Sequence, residues 1–293
     1  MVRQSTVIST SAHEQEVPWP SLSIDRAVVL LDEADHRIST GFSTAFHQDV
    51  IVSVRDLGDD TSASFWDEEI SRLSRLRHGS AARILETRIE ADRFFVMTVL
   101  RPDGLLLSTR LDSGPLDPDE ALSVALATLD VVVALHELGL SASGIRLRSA
   151  VKVKGLDGQE RYVVATFGLA VDNDIDMFNE LREVALRVLA LMGCRYENRA
   201  LMVPNSIPEP LVAALVQAFG LSGPAFPTPG DLALAMLTAL GKRARVSARS
   251  RTLTRPHRGA STVVTSDLLL ASDYLATLPA EPPIDLVVVP RSR

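Results

Sequence analysis

Apolar and polar positions divide the chain into a β-rich first part and a helical second part. In the first part, short runs of β-branched and aromatic residues alternate with polar or glycine-containing turns, a pattern typical of strands. One helix is predicted there over about 64–77, because apolar residues recur every three or four positions and acids precede arginines. The predicted strands cover 28–31, 42–46, 50–54, 82–89 and 93–100.

The second part combines long apolar helices with one small hairpin. The clearest helix is 118–138, where Pro118 suits the first turn and Gly139 is a suitable C-terminal stop. The other predicted elements are a hairpin of 150–155 and 161–168 and helices at about 175–192, 208–220 and 229–240. This order predicts a two-lobed α+β protein with a hinge near residue 101.

The two ends of the chain differ from this pattern. Residues 1–20 are polar and without periodicity, which predicts a flexible arm. The lobes are then expected at 21–100 and 101–241, followed by a basic linker and tail at 242–293. The tail segment 284–290, IDLVVVP, is a candidate strand that docks on the body or on a partner.

Charge and cysteine content narrow the functional classes. The net charge is −7, which argues against a general nucleic-acid binder, although the run 242–258 holds seven basic residues and no acid and allows weak contact. One cysteine excludes an internal disulfide, and no apolar run reaches the ~18–20 residues of a membrane helix, so a cytoplasmic protein is expected. The scattered histidines have no ligand spacing, and no metal site is predicted.

Five segments, taken in order, resemble the eukaryotic-type Ser/Thr protein kinase family found in bacteria. FWDEEISRLSRLRHGSAARILE is similar to the αC helix of the family and the approach to its fourth strand, and RFFVMTVLRPDGLLLSTRL to the fifth strand and hinge. ALSVALATLDVVVALHELGL resembles the helix before the catalytic loop, YVVATFGLA the strand leading into the DFG motif, and DIDMFNELREVALRVLALMG the buried central helix. The resemblance covers about 38–240 and implies a protein-kinase-like fold with a β-rich and an α-helical lobe.

The same resemblance places unsuitable residues at the catalytic positions of the family. Gly144 matches the aspartate that accepts the hydroxyl proton, and Ser149 matches the asparagine that holds a second magnesium ion. Thr166 matches the aspartate of DFG, so a neutral hydroxyl replaces a metal-binding carboxylate. The phosphate-covering loop, matched to STGFSTAF, keeps only Gly41.

Two charged residues match the nucleotide-binding pair of the family. Arg55 takes the place of the third-strand lysine, and Glu69 matches the αC glutamate that would pair with it. Lysine cannot substitute from nearby, because Lys152, Lys154 and Lys242 are the only lysines in the chain. An Arg55–Glu69 ion pair could contact a nucleotide, or it could be an ordinary salt bridge between strand and helix.

The matches that remain are structural. Leu73, Ile84 and Phe167 correspond to three of four stacked side chains that tie the lobes together, with Ala142 at the fourth position. Asp176 matches a buried aspartate that orients the catalytic-loop backbone, although an aspartate at a helix start is also a natural N-cap. Seven residues separate Gly168 from Asp176, which implies a truncated activation segment.

The sequence therefore predicts a catalytically inactive kinase-like domain, a pseudokinase, that binds a protein partner. The partner is expected to be an active Ser/Thr kinase or a larger assembly, and no cofactor is required. One alternative is a nucleotide sensor that holds ATP without magnesium through Arg55. Two others are a divergent active kinase and a two-lobed protein unrelated to kinases.

Overall fold

The computed structural model describes two lobes in one chain. The described residues are 24–32, 36–56, 63–90, 93–101, 103–142, 145–155, 158–167, 176–197, 200–220, 223–242 and 287–290. The first lobe is built on a five-stranded sheet with one helix, and the second is mainly helical. The predicted α+β, two-lobed fold class is confirmed. The predicted arm at 1–20 and most of the tail lie outside the described residues.

The sheet of the first lobe is antiparallel and has the order β1-β2-β3-β5-β4. Helix α1, Ala63–Leu73, lies between β3 and β4 in the chain and is four residues shorter than predicted at its C-terminal end. The strands are β1 (Ile24–Asp32), β2 (His36–Ser43), β3 (Gln48–Asp56), β4 (Ile84–Glu90) and β5 (Arg93–Val99).

The strand predicted at 42–46 is wrong over most of its length. Strand β2 ends at Ser43, and residues 44–47 form the turn to β3. The Ser43 hydroxyl accepts a hydrogen bond from the backbone N–H of Phe46 at 3.3 Å, and His47 has a positive φ of 52°. A serine side chain that bonds the backbone ahead of it favours a turn over an extended strand, whatever the β-propensity of the neighbouring phenylalanines.

The second lobe is organised around α3, Pro118–Glu137, which packs against two further helices and β8. Asp117 caps α3 by accepting from the N–H of Glu120 at 2.8 Å, and Pro118 is at its first turn as predicted. The remaining helices are α2 (Leu107–Leu111), α4 (Met177–Leu191), α5 (Glu209–Gln217) and α6 (Pro229–Ala239), with a short 3₁₀ turn at Leu147–Ser149.

Two small sheets complete the second lobe. Strands β6 (Leu105–Leu106), β7 (Val151–Lys154) and β8 (Glu160–Val163) form the first, which contains the predicted hairpin. The second consists of β9 (Arg195–Glu197), β10 (Ala200–Val203) and the tail strand β11 (Val287–Pro290). Within the described part of the chain, no helix combines the length and apolar character needed to cross a membrane.

Candidate functional site

The surfaces that face one another across the two lobes are packed together by apolar side chains. Ile38 of β2 and Ile51 of β3 come from the sheet, while Val151 and Val153 of β7 come from the hairpin of the second lobe. All members of this inter-lobe cluster are at most 9% exposed. The cluster consists of Ile38, Ile51, Ala82, Val151, Val153, Val163 and Ala165.

Hydrogen bonds reinforce the same junction. The hydroxyl of Thr98, on β5, donates to the carbonyl of Ala165 at 2.8 Å. The backbone of Val164 donates to Ser80 at 2.8 Å and accepts from Ala82 at 2.7 Å. Because these groups are buried between the lobes, leaving any of them unpaired would cost free energy, so the bonds favour a closed arrangement.

Two of the positions that the resemblance matches to magnesium ligands lie directly against each other. The hydroxyls of Ser149 and Thr166 are 2.5 Å apart, and Ser149 also donates to the carbonyl of Arg146 at 2.6 Å. Thr166 is 0% exposed and lies 3.4 Å from the same carbonyl. The hydroxyls are thus used in structural bonds inside the protein. Gly144, which the resemblance matches to the proton-accepting aspartate, lies outside the described residues.

Arg55 and Glu69 are both buried. Arg55 lies on β3 opposite Phe94 of β5, while Glu69 on α1 forms its ion pair with Arg72 at 3.6 Å. Arg72 is placed for this ion pair because it follows Glu69 by three positions on the same helix face. Burial raises the pKa of Glu69; Arg72 opposes this shift, and Glu68 adds to it.

The positions that the resemblance matches to stacked side chains all lie in the main hydrophobic core. Leu73 at the end of α1, Ile84 at the start of β4 and Phe167 all lie within one continuous hydrophobic cluster, and Ala142 lies in the same cluster. Leu73 and Phe167 are among the largest fully buried side chains of the protein. The cluster continues through α3, α4 and α5, so it joins the two lobes through their cores.

Asp176 does not have the buried position that was expected for it. It is exposed, and it caps α4 by accepting from the N–H of Asn179 at 3.1 Å. The carboxylate that holds the loop backbone is Glu180, one helical turn later. Its Oε1 accepts from the N–H of Ala142 at 2.8 Å and from the hydroxyl of Ser141 at 2.6 Å.

Glu180 also meets a histidine that the sequence predictions overlooked. His136, near the end of α3, has its Nε2 2.5 Å from Oε2 of Glu180, and both side chains are buried. The contact joins α3, α4 and the loop after α3 through one carboxylate. The sequence held one indication of this role. Glu180 is an acid on an otherwise apolar face of the predicted helix, four positions after its predicted N-cap Asp176.

A second group of charges surrounds Glu120, outside the cleft. Its carboxylate contacts Arg110 at 2.8 Å, Tyr162 at 2.7 Å and Lys152 at 3.3 Å. Burial works against ionisation, but the hydrogen bonds from Tyr162, Lys152 and Arg110 outweigh it and lower the pKa of Glu120. The described residues contain no set of three or more His, Cys, Asp or Glu side chains placed to hold a metal ion.

Gly41 lies within β2, away from any loop between strands. A methyl group added there would lie 2.5 Å from Cγ2 of Ile24 and 3.2 Å from the carbonyl of Asp25. The glycine therefore lets β1 approach β2 closely, at a point where the pairing of the two strands is irregular. This packing explains the residue without reference to a phosphate.

Comparison with known proteins supports the fold. No protein-family model matches the sequence, and no curated protein matches it. A chain in the structure of Rad53 1–466 in complex with AMP-PNP is 13% identical, with 58% of this chain and 47% of that chain covered and a TM-score of 0.45. This similarity is too low to support an argument.

The complex of Neurospora crassa PAN2 (WD40-CS1) with PAN3 (pseudokinase and C-term) contains a more extensive match. It is 10% identical and covers 78% of this chain and 66% of that chain, with a TM-score of 0.51. The chain spans less than two thirds of the length of either solved chain. At this level of identity, the similarity is evidence of the fold alone. Together with the order of its strands and helices, the similarity shows that this chain has a protein-kinase-like fold.

Proposed function

We propose that this chain is a kinase-like domain that transfers no phosphate and acts as a protein-binding regulator or scaffold in a bacterial cell. The observation that carries the proposal is the bond between Ser149 and Thr166. These residues occupy the positions where the resemblance expects the two magnesium ligands, and their neutral hydroxyls are buried against each other.

The chemical reason is the charge that phosphoryl transfer needs. Catalysis of this reaction is mostly positioning and electrostatic stabilisation, with magnesium bridging the phosphates and acidic side chains holding the metal. Magnesium prefers hard, anionic oxygen ligands. Ser149 and Thr166 supply no negative charge, and Gly144 supplies no side chain to accept the proton of an attacking hydroxyl.

The residues that line the junction of the lobes do not fit a nucleotide with magnesium. Ile38 and Ile51 belong to one buried cluster with Val151 and Val153, between the lobes where the resemblance would place ATP. The Thr98–Ala165 hydrogen bond closes the same junction. Nucleotide binding would require these contacts to separate.

A magnesium-independent nucleotide sensor remains the alternative because of Arg55. Residues 51, 53 and 55 point to the same side of β3, and Ile51 packs on the second lobe, so the arginine lies on the sheet face directed toward the junction. A buried cation there supplies an attraction for phosphate if the lobes open.

The role in protein binding is supported by analogy. PAN3, which carries a pseudokinase, is found in a complex with PAN2. A kinase-like fold without phosphotransfer can likewise present a rigid surface to a partner, such as an active Ser/Thr kinase or a larger assembly. The intact cores of the two lobes are consistent with selection for shape.

A phosphotransfer assay tests the proposal directly. The purified full chain, incubated with labelled ATP, magnesium or manganese and generic protein substrates, should give no transfer above that of the Arg55→Ala variant. Comparing the two proteins removes the contribution of contaminating kinases. Transfer by the wild type that is lost in the variant would contradict the proposal.

Thermal unfolding with nucleotides separates the sensor from the scaffold. ATP or ADP, with or without magnesium, should leave the melting temperature of the wild type unchanged if the lobes stay packed. The matched variants are Arg55→Ala and Arg93→Ala, because Arg93 is an exposed arginine paired with Asp56 on the same sheet. A nucleotide-induced increase that Arg55→Ala abolishes and Arg93→Ala preserves would favour the sensor.

A further inference from the structure

The tail strand β11 adds to the edge of a hairpin in the second lobe. It pairs in parallel with β10, with Leu201 opposite Val288 and Met202 opposite Val289. On its other side, β10 pairs in antiparallel fashion with β9, so β10 is the central strand and β11 an added edge. Strands β10 and β11 are far apart in the sequence, and the pairing is therefore a docking event.

The receiving strand is held rigidly by the body of the lobe. Leu201 and Val203 of β10 are buried in the main hydrophobic cluster. The chain passes from α4 to this hairpin through a tight turn in which Gly193 has a φ of +81°. A Cβ atom at Gly193 would lie 2.9 Å from Cγ of Pro115. Cys194, the next residue, is also buried, and its N–H donates to Leu189 at 3.0 Å.

In the structure β11 covers this side of β10, and its departure would leave a fixed strand with an open edge. The backbone N–H and C=O groups on that side would then bond another extended segment of suitable shape, which is the basis of recognition by strand addition. The segment seated there is Val287, Val288, Val289 and Pro290, three β-branched residues ended by a proline. β-Branched residues favour the extended backbone, and the proline ends the pairing.

We propose that the β10 edge is a docking site for an extended segment of a partner protein that carries consecutive β-branched residues ended by a proline. The chain's own β11 occupies this site when the partner is absent. The tail is covalently attached, so its effective concentration at the edge is high and a partner must compete with it. The site lies outside the junction of the lobes, so the proposal holds whether or not the junction binds nucleotide.

The first experiment opens the site in the full chain and measures peptide binding. In a parallel strand, every second residue forms its backbone hydrogen bonds with the same neighbouring strand. The double variant Val288→Pro and Val289→Pro therefore removes one backbone N–H donor to β10, whichever of the two residues bonds it. The probe is a fluorescein-labelled peptide with the sequence of 284–293, followed by anisotropy. The peptide should bind the double variant at least tenfold more tightly than the wild type.

Two controls define the result. A protein with Arg291→Pro and Ser292→Pro, changed just beyond the strand, should bind the peptide as weakly as the wild type. A peptide carrying the two prolines at 288 and 289 should not bind any of the three proteins. Equal binding of the unmodified peptide to all three proteins, or to none, would overturn the proposal.

Hydrogen exchange provides a measurement that does not depend on the peptide. Amide protons at 200–203 should exchange at least tenfold faster in the double variant, while those of β7 at 151–154 keep their wild-type rates and report an intact fold. Added peptide should restore the protection of 200–203. Unchanged protection at 200–203 in a folded double variant would sink the proposal.

Sedimentation identifies the alternative occupant. If the wild type forms a dimer whose amount rises with concentration and the double variant does not, the strand at β10 comes from a second copy of the chain. That outcome would replace the partner protein by self-association. A wild type that remains monomeric at all concentrations supports occupation by its own tail.

Discussion

At the scale of single residues, the carboxylate of Glu180 connects three parts of the second lobe. It bonds Ser141 and the backbone of Ala142 in the loop after α3, and it meets His136 on α3. Removing the carboxylate takes this partner from the buried backbone N–H of Ala142 and from the buried ring of His136, and such losses are costly in a low-dielectric interior. Glu180 is therefore expected to matter more for stability than the nearby Asp176.

We expect Glu180→Ala to lower the free energy of unfolding by about 3 kcal/mol, because it leaves buried donors unpaired. Asp176→Ala removes only a helix cap and should cost about 1 kcal/mol. Denaturant unfolding of both variants beside the wild type measures the two losses. A larger loss for Asp176→Ala would mean that Asp176 is the residue that fixes the loop.

The pH dependence of stability should reflect Glu120. Its pKa is lowered in the folded protein, so its contribution is complete above the unfolded-state value of about 4.3 and disappears as pH falls through the lower folded-state value. Denaturant unfolding of the wild type and Glu120→Gln at pH 7 to 3 checks this. The stability difference should be largest at neutral pH and shrink below about pH 4; a constant difference would contradict it.

The residue types at the positions matched to catalytic residues could be read from the sequence, but their contacts could not. The sequence identified Ser149 and Thr166, whereas their mutual bond depends on the fold. Asp176 and Glu180 are one turn apart on the same helix, and motif matching alone selected the wrong one for the buried role. Likewise, the ion pair of Glu69 with Arg72 follows from the spacing of the two residues on one helix face, and the sequence analysis did not predict it.

At the scale of elements, Gly41 allows β1 and β2 to pair closely. A side chain at this position would press on Ile24 and on the backbone of Asp25. Gly41→Ala should therefore destabilise the protein by about 1–2 kcal/mol through overpacking. Thermal unfolding measures the loss, and Gly79→Ala is a matched control, because a methyl group at Gly79 would meet only the end of the Arg161 side chain at 4.0 Å. Equal effects of the two changes would contradict the packing role.

Most long elements followed from periodicity, while short ones depended on tertiary contacts. Helix α3 was predicted almost to the residue because its proline, cap and apolar spacing agree. The pair β9 and β10 was missed, since strands of three and four residues carry too little pattern. The tail strand was expected as an element, but its pairing with β10 links distant parts of the chain and has no local signal.

At the scale of the whole molecule, the lobes should unfold together. The inter-lobe cluster and the main cluster join them, and the Thr98–Ala165 bond crosses their junction. In a Trp19→Phe protein, fluorescence of the buried Trp66 reports the first lobe, and far-UV circular dichroism mainly reports the helices of the second. Their denaturation midpoints should coincide, as in a two-state transition. Separate midpoints would show lobes that fold independently.

The burial of Thr166 determines what an aspartate at this position would do. An aspartate introduced there would place a negative charge against the Arg146 carbonyl and the Ser149 hydroxyl, with no solvent access. The free-energy cost of burying a charge without a counter-charge is comparable to the whole stability of a small domain. The new aspartate would therefore either disrupt the packing at the junction or stay protonated. A metal ligand at this position would therefore need further changes around Ser149 and Arg146, and one substitution at residue 166 would not create it.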